Sequence, residues 1–164
     1  MRLIHLSDLH IGKRVNEFSM LEDQEYILKE ILCIIDDEQP DGIIIAGDVY
    51  DKSVPSEEAV KLLDSFLTSL AKRNLQVYII SGNHDSAAKL AFASSLIDLS
   101  GIHISPVYDS AQMADVEERL GRPYHLADGK GQVVNIYMLP FVKPATVRAV
   151  FPDEAEEIKD YTDA

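Results

Sequence analysis

Cysteine is nearly absent from this chain: Cys33 stands alone among 164 residues. A single thiol excludes a disulfide framework and makes a reducing cytoplasm the expected setting. Cys33 lies inside an apolar helical pattern, which predicts a small core residue rather than a reactive thiol. Long apolar runs are missing too. The longest break after five or six residues, far short of the ~20 needed to span a membrane. The N-terminal stretch Met1–Asp8 has too short an apolar segment for a signal peptide and reads as a strand. Basic residues are scarce, with 15 Lys and Arg against 28 Asp and Glu, a formal net charge of −13. That balance argues against holding a polyanion by bulk electrostatics. Most of the acid is expected on solvated surface, and the cluster Asp153-Glu154-Ala155-Glu156-Glu157 predicts an exposed helix start. There is no internal repeat and no low-complexity linker.

What is present is the material of one domain with a sizeable core. Strand-like and helical runs alternate, which predicts a layered α/β fold. The first strand is expected over Arg2–Ser7. A helix follows over Leu21–Asp37, with Leu21, Ile27, Leu28, Ile31, Leu32 and Ile35 as its apolar face. Pro40-Asp41-Gly42 ends that element, and Ile43-Ile44-Ile45-Ala46 reads as a strand buried on both faces. Pro55, Ser56 and the pair Glu57-Glu58 signal a second helix running to Arg73, whose last-turn Lys72 and Arg73 suit the helix dipole. A third strand is expected over Gln76–Ile80 and a third helix over Ser86–Leu99, capped by Gly101. Beyond it the pattern turns strand-rich, with short strands at Ile102–Ile104, Tyr124–Leu126 and Val133–Met138, in a second sheet or on the far side of the first.

Three short polar stretches carry the chemistry: Asp8-Leu9-His10, Gly47-Asp48-Val49-Tyr50-Asp51 and Gly82-Asn83-His84-Asp85. Each follows a β-branched apolar run, so each is expected at the carboxyl end of a buried strand, the edge where open α/β sheets bind ligands. On extended backbone Asp8 and His10 leave the same face, within reach of one ion. Asp48 ends the most apolar strand with no basic residue within three positions. A charged carboxylate there costs several kcal/mol unless paired or metal-bound, and bridging two cations resolves that cost. Gly47 removes bulk so that backbone and metal approach closely. Asp51 is expected to brace the loop and orient a ligand rather than to ligate. Asn83 offers a neutral amide oxygen, although a turn-forming Asn after Gly82 has a structural explanation as well. His84 is the candidate to contact a phosphate or protonate a leaving oxygen, with Asp85 setting its tautomer. Any one of these stretches is ambiguous. Three in order, each after a strand, point to a di-metal site for phosphate-ester hydrolysis.

Ser7-Asp8-Leu9-His10, Gly47-Asp48-Val49-Tyr50-Asp51 and Gly82-Asn83-His84-Asp85 resemble the first three signatures of the calcineurin-like metallophosphoesterases, and within them the SbcD nuclease family. The flanks Arg2–Gly12, Pro55-Ser56 and Leu139-Pro140-Phe141-Val142-Lys143-Pro144 extend the resemblance over nearly the whole chain. It implies a metallophosphoesterase fold, central β-sheets flanked by helices. It also implies that Asp8 and His10 bind one metal, usually manganese, that Asp48 bridges to a second bound by Asn83, and that His84 acts on the phosphate with Asp85 in support. The implied activity is manganese-dependent DNA exonuclease and endonuclease chemistry in repair and recombination, with an SbcC-type ABC ATPase and DNA as partners and no membrane. In that family the helices after the second and third motifs form a dimer, here through Val60, Leu63, Phe66, Phe92, Leu96 and Leu99. Each helix also needs a core-facing stripe against its own sheet.

One departure stands out. The family completes its site with a Gly-His and a Gly-His-x-His motif, and neither occurs here. The remaining histidines are His5, expected on a strand facing a helix, and His103 and His125, expected at surface or strand positions. Residues 1–164 are therefore expected to be the N-terminal part of a nuclease domain, truncated before the last strands and without a complete second domain. Alone, they are expected to bind manganese weakly and cleave little. The competing readings are a small-molecule, cyclic-nucleotide phosphodiesterase and a scaffold with a degenerate metal site.

Overall fold

The computed structural model of the chain describes residues 1–90, 97–105 and 122–163. Its centre is a four-stranded, fully parallel sheet of β1 (Leu3–Ser7), β4 (Gly42–Gly47), β5 (Gln76–Ser81) and β6 (Ile102–Ser105), adjacent in that order. Between the first two strands lie a small hairpin, β2 (Arg14–Val15) and β3 (Phe18–Ser19), and helix α1 (Leu21–Glu38). Helix α2 (Glu57–Ala71) links β4 to β5, and α3 follows β5, described over Ala87–Leu90. A second sheet is the antiparallel pair β7 (Tyr124–Ala127) and β8 (Val133–Ile136). Helix α4 (Pro144–Val150) and a 3-10 turn at Pro152–Glu154 complete the described elements.

Register places Ile4, Ile43, Val77 and Ile102 across one face, with Leu6, Ile45, Ile79 and Ile104 the next row. Against these rows pack Leu28 and Ile35 of α1 and Leu63, Phe66, Leu67 and Leu70 of α2, forming the core. Burying each such side chain contributes roughly 1.5–3 kcal/mol. Arg73 then clamps the two helices: Nε and Nη2 donate to the carboxylate of Asp36 at 2.6 and 2.7 Å, and Nη1 donates to the Ser69 carbonyl. The cation expected to serve the α2 dipole thus also reaches across to α1. Ser56 caps α2, its hydroxyl accepting from the Ala59 N–H at 3.3 Å.

The opposite face is less covered, which corrects several expectations. Ile43 and Ile45 are fully buried, whereas Ile44 and Ala46 are half-buried, so β4 is sealed on one face only. His5 shares the register row of Ile44 and Tyr78 and is exposed there, away from the helices. His103 and His125 do lie on strands as expected: His103 of β6 sits between the rings of Tyr78 and Tyr124 and bonds Asp98, and His125 of β7 is exposed and bonded to Asn135. On α1, Cys33 is exposed rather than in the core, and Ile27 is 53% exposed. One helical stripe through Leu28 and Ile35 satisfies the sheet, leaving flanking apolar positions outside it.

One local expectation fails, and one element carries no composition signal. The β2–β3 turn uses Asn16 and Glu17, both at positive φ (47° and 70°), without the glycine that marks such hairpins. Helix α4 begins at Pro144, a favoured first helical residue, and the acidic run after it makes a 3-10 turn rather than a helix start.

Candidate metal centre

Parallel pairing aligns the ends of β1, β4 and β5, with Ser7 opposite Ala46, Ala46 opposite Ile80 and Gly47 opposite Ser81. The three polar stretches therefore emerge side by side at one sheet edge, as expected for ligand-binding α/β edges. Pairing continues past the strands: the N–H groups of Asp8, His10 and Ile11 donate to the carbonyls of Ala46, Asp48 and Val49 at 3.1, 3.0 and 2.9 Å. In exchange, Asp8 and His10 adopt left-handed backbone (φ 51° and 44°). That conformation is costly for such residues and persists only where surrounding bonds enforce it.

The result is a compact donor set. One carboxylate oxygen each from Asp8 and Asp48 and one imidazole nitrogen of His10 lie within 4.8 Å of one another. Asp48 is buried, with Oδ1 accepting the His84 N–H at 2.8 Å. Its Oδ2 faces two imidazole nitrogens, Nε2 of His10 at 3.9 Å and Nε2 of His84 at 4.0 Å, both beyond hydrogen-bond reach. On the other side of the His10 ring, buried Nδ1 has no hydrogen-bond partner, and Asp51 Oδ1 is 3.6 Å away. The buried Asp48 carboxylate oxygen and the His10 imidazole nitrogen, which converge with Asp8 without bonding each other, fit a divalent cation between them.

The glycines make this closeness possible. A Cβ on Gly47, which also has φ +96°, would overlap Asp8 Oδ1, and one on Gly82 would overlap Asp48 Oδ1 and sit 2.6 Å from the Asp48 nitrogen. Asp8 Oδ1 in turn accepts the Asp48 N–H at 3.2 Å. Motif one and motif three thus each press on Asp48.

His84 flanks the cluster half-exposed, its ring edge-on to that of His10 with centroids 5.7 Å apart. Its Nδ1 lies 3.3 Å from the Asp51 carbonyl. A carbonyl only accepts, so the Nδ1 proton points there and Nε2 faces the site. This corrects the expectation for Asp85. The Asp85 carboxylate is buried and accepts three backbone N–H groups, from Val49 (3.0 Å), Tyr50 (2.9 Å) and Gly82 (3.0 Å). Both oxygens are spent on stitching motif two to motif three, and the backbone of Asp51 orients the imidazole instead. Asn83 is exposed in the loop between Gly82 and His84.

One residue that the sequence does not single out is Gln24, in the first turns of α1. Its Oε1 accepts the Gly12 N–H at 2.9 Å, and its Nε2 donates to the Leu9 and His10 carbonyls at 3.2 and 2.8 Å. Nothing near Gln24 in the chain signals this, because the partners lie 12–15 residues away. Of the residues expected at a dimer interface, Leu63 and Phe66 belong to the buried core, Val60 and Leu99 are exposed, and Phe92 and Leu96 lie outside the described residues. Among the described residues no helix is long and apolar enough to cross a membrane.

Comparison with known proteins agrees with this geometry. The calcineurin-like phosphoesterase family matches residues 1–159. The SbcD subunit of the SbcCD nuclease from Staphylococcus epidermidis is 33% identical over 165 residues, covering 100% of this chain and 40% of that protein. Its namesake in Staphylococcus saprophyticus subsp. saprophyticus is 33% identical over 158 residues, 96% of this chain and 38% of the relative. The chain thus spans about two-fifths of the length of these relatives. With a matching family pattern over residues 1–159 and a carboxylate–imidazole cluster at the carboxyl edge of its sheet, this chain belongs to the calcineurin-like phosphoesterases.

Proposed function

We propose that the chain carries part of the metal centre of a DNA nuclease that works with an SbcC-type ATPase. The observation that carries the reading is the convergence of Asp8, His10 and Asp48 around one point at the sheet edge. The two staphylococcal relatives, both nucleases by name, support the substrate side of the proposal. In this reading two divalent cations, most simply Mn2+, would be held by Asp8, His10, Asp48 and Asn83. Bound there, such cations would activate a water and neutralise charge on the phosphoryl oxygens. The residues' own tasks follow from their placement. Asp48 keeps Oδ2 open toward both imidazoles, and His84, held through Nδ1, presents Nε2 to the phosphate or the leaving oxygen. Asp85 keeps the two loops in register through its bonds to the Val49, Tyr50 and Gly82 N–H groups.

The chain's net charge of −13 supports a division of labour, in which DNA is gripped mainly by regions and partners other than these residues. A homodimer through the exposed side of α2 at Val60 and the surface at Leu99 belongs to the same proposal.

The test is hydrolysis of linear duplex DNA, hairpin DNA and a cyclic nucleotide by the full-length protein in Mn2+, with and without the ATPase partner. DNA cleavage that falls by more than about 100-fold in Asp48→Asn is expected. Hydrolysis of the cyclic nucleotide alone would reassign the substrate to a small phosphodiester. Indifference to Mn2+ and to Asp48→Asn would leave a scaffold with a degenerate site.

A further inference from the structure

The loop that carries Asp8 and His10 is held from the side by one amide. Gly12 offers a donor, Leu9 and His10 offer acceptors, and Gln24 meets all three. Only a primary amide carries an acceptor oxygen and a two-donor nitrogen on the same carbon. The three bonds fix its orientation, since the oxygen must face the Gly12 N–H. They fall on a segment whose two metal-binding candidates have φ of 51° and 44° and whose Gly12 has φ 89°. The His10 carbonyl is engaged a second time by the Lys13 N–H at 3.0 Å. The pairing to β4 holds the loop's inner side, and Gln24, rooted in the 18-residue α1, holds its outer side.

We infer that Gln24 is a positioning residue of the metal centre: through the backbone of Leu9, His10 and Gly12 it holds Asp8 and His10 in ligating geometry. The inference rests on the metal-site reading above. Groups that orient ligands without touching the ion commonly change metal affinity by about 10–100-fold when altered. Gln24→Met keeps the side chain's length and removes all three bonds. Gln24→Glu keeps the acceptor for Gly12 and turns a second carboxylate oxygen against the two carbonyls.

Mn2+ is titrated into wild type, Gln24→Met, Gln24→Glu and Asp48→Asn and followed by the EPR signal of the free ion. Amide hydrogen exchange is measured on each metal-free protein. Gln24→Met weakens Mn2+ binding about tenfold and Gln24→Glu by more. Exchange quickens at His10, Ile11 and Gly12 and stays unchanged in β4 and β5. Wild-type affinity in both Gln24 variants, with binding lost in Asp48→Asn, overturns the role of Gln24 and leaves the metal site standing. Wild-type affinity in Asp48→Asn overturns the metal-site reading itself. Faster exchange throughout β4 and β5 in the Gln24 variants marks a general loss of stability, which also overturns a positioning role.

Discussion

Asp48 is the residue on which the site turns, and its neighbours matter for their size as much as for their charge. A methyl group on Gly82 meets the Asp48 backbone nitrogen at 2.6 Å as well as its carboxylate. Backbone has no flexible end to move aside, so Gly82→Ala must shift either β5 or Asp48. The expected cost is on the order of 2 kcal/mol or more in urea unfolding, together with weakened Mn2+ binding. A variant with wild-type stability and wild-type Mn2+ affinity would show that the loops yield freely. At this scale much is legible in the sequence. Asp8 and His10 stand out as a carboxylate and an imidazole just past a recognisable strand, and Asp48 as a carboxylate ending an apolar strand with no basic residue near it. The task of Asp85 is not legible in the same way. Sequence places it beside His84, but only folding brings the N–H groups of Val49 and Tyr50, over thirty residues away, onto its oxygens. Gln24 is invisible for the same reason.

Secondary-structure elements are legible where periodicity and caps coincide. Ser56 caps α2 as its sequence indicates, and β4 and β5 fall where continuous apolar runs predict. They escape where backbone conformation is imposed by context, as at the glycine-free β2–β3 turn. The link between β4 and α2 adds a pH dependence. Burial, with the Asp85 and Asp64 carboxylates near, pushes the Tyr50 hydroxyl up to about 12. The folded chain keeps this proton where the unfolded chain, titrating at its ordinary 10.0, has lost it. The associated stability is therefore complete below pH 10 and is lost as pH rises from 10 toward 12, by on the order of 2 kcal/mol. Urea midpoints at pH 9 and pH 11 should converge in Tyr50→Phe and diverge in wild type. Burial also raises Tyr78, so a residual slope is expected in the variant. Equal slopes in the two proteins would remove Tyr50 from the account.

For the whole molecule, the asymmetry of the main sheet matters most. One face is closed by α1 and α2. The other carries exposed His5, half-buried Ile44 and the Tyr78–His103–Tyr124 stack beside the β7–β8 pair. The proposed dimer draws on α2, where Leu63 and Phe66 are already committed to the core and Val60 is left 44% exposed. Sedimentation velocity is expected to show a dimer that Val60→Glu with Leu99→Glu converts to monomer. Monomer alone at high concentration in the wild type would remove the dimer from the proposal. The α/β class, the order of the main elements and the metal-binding candidates can be read from the chain unfolded, because apolar periodicity, caps and misplaced carboxylates are local signals. The folded arrangement settles which face of the sheet is sealed. It also shows that Asp51 rather than Asp85 orients His84, and that Gln24 grips the loop carrying Asp8 and His10. The first two follow from parallel strand register, which brings residues more than thirty positions apart within hydrogen-bond distance, and the third from the packing of α1 beside the β1 loop; neither leaves a mark on the neighbours of these residues in the chain.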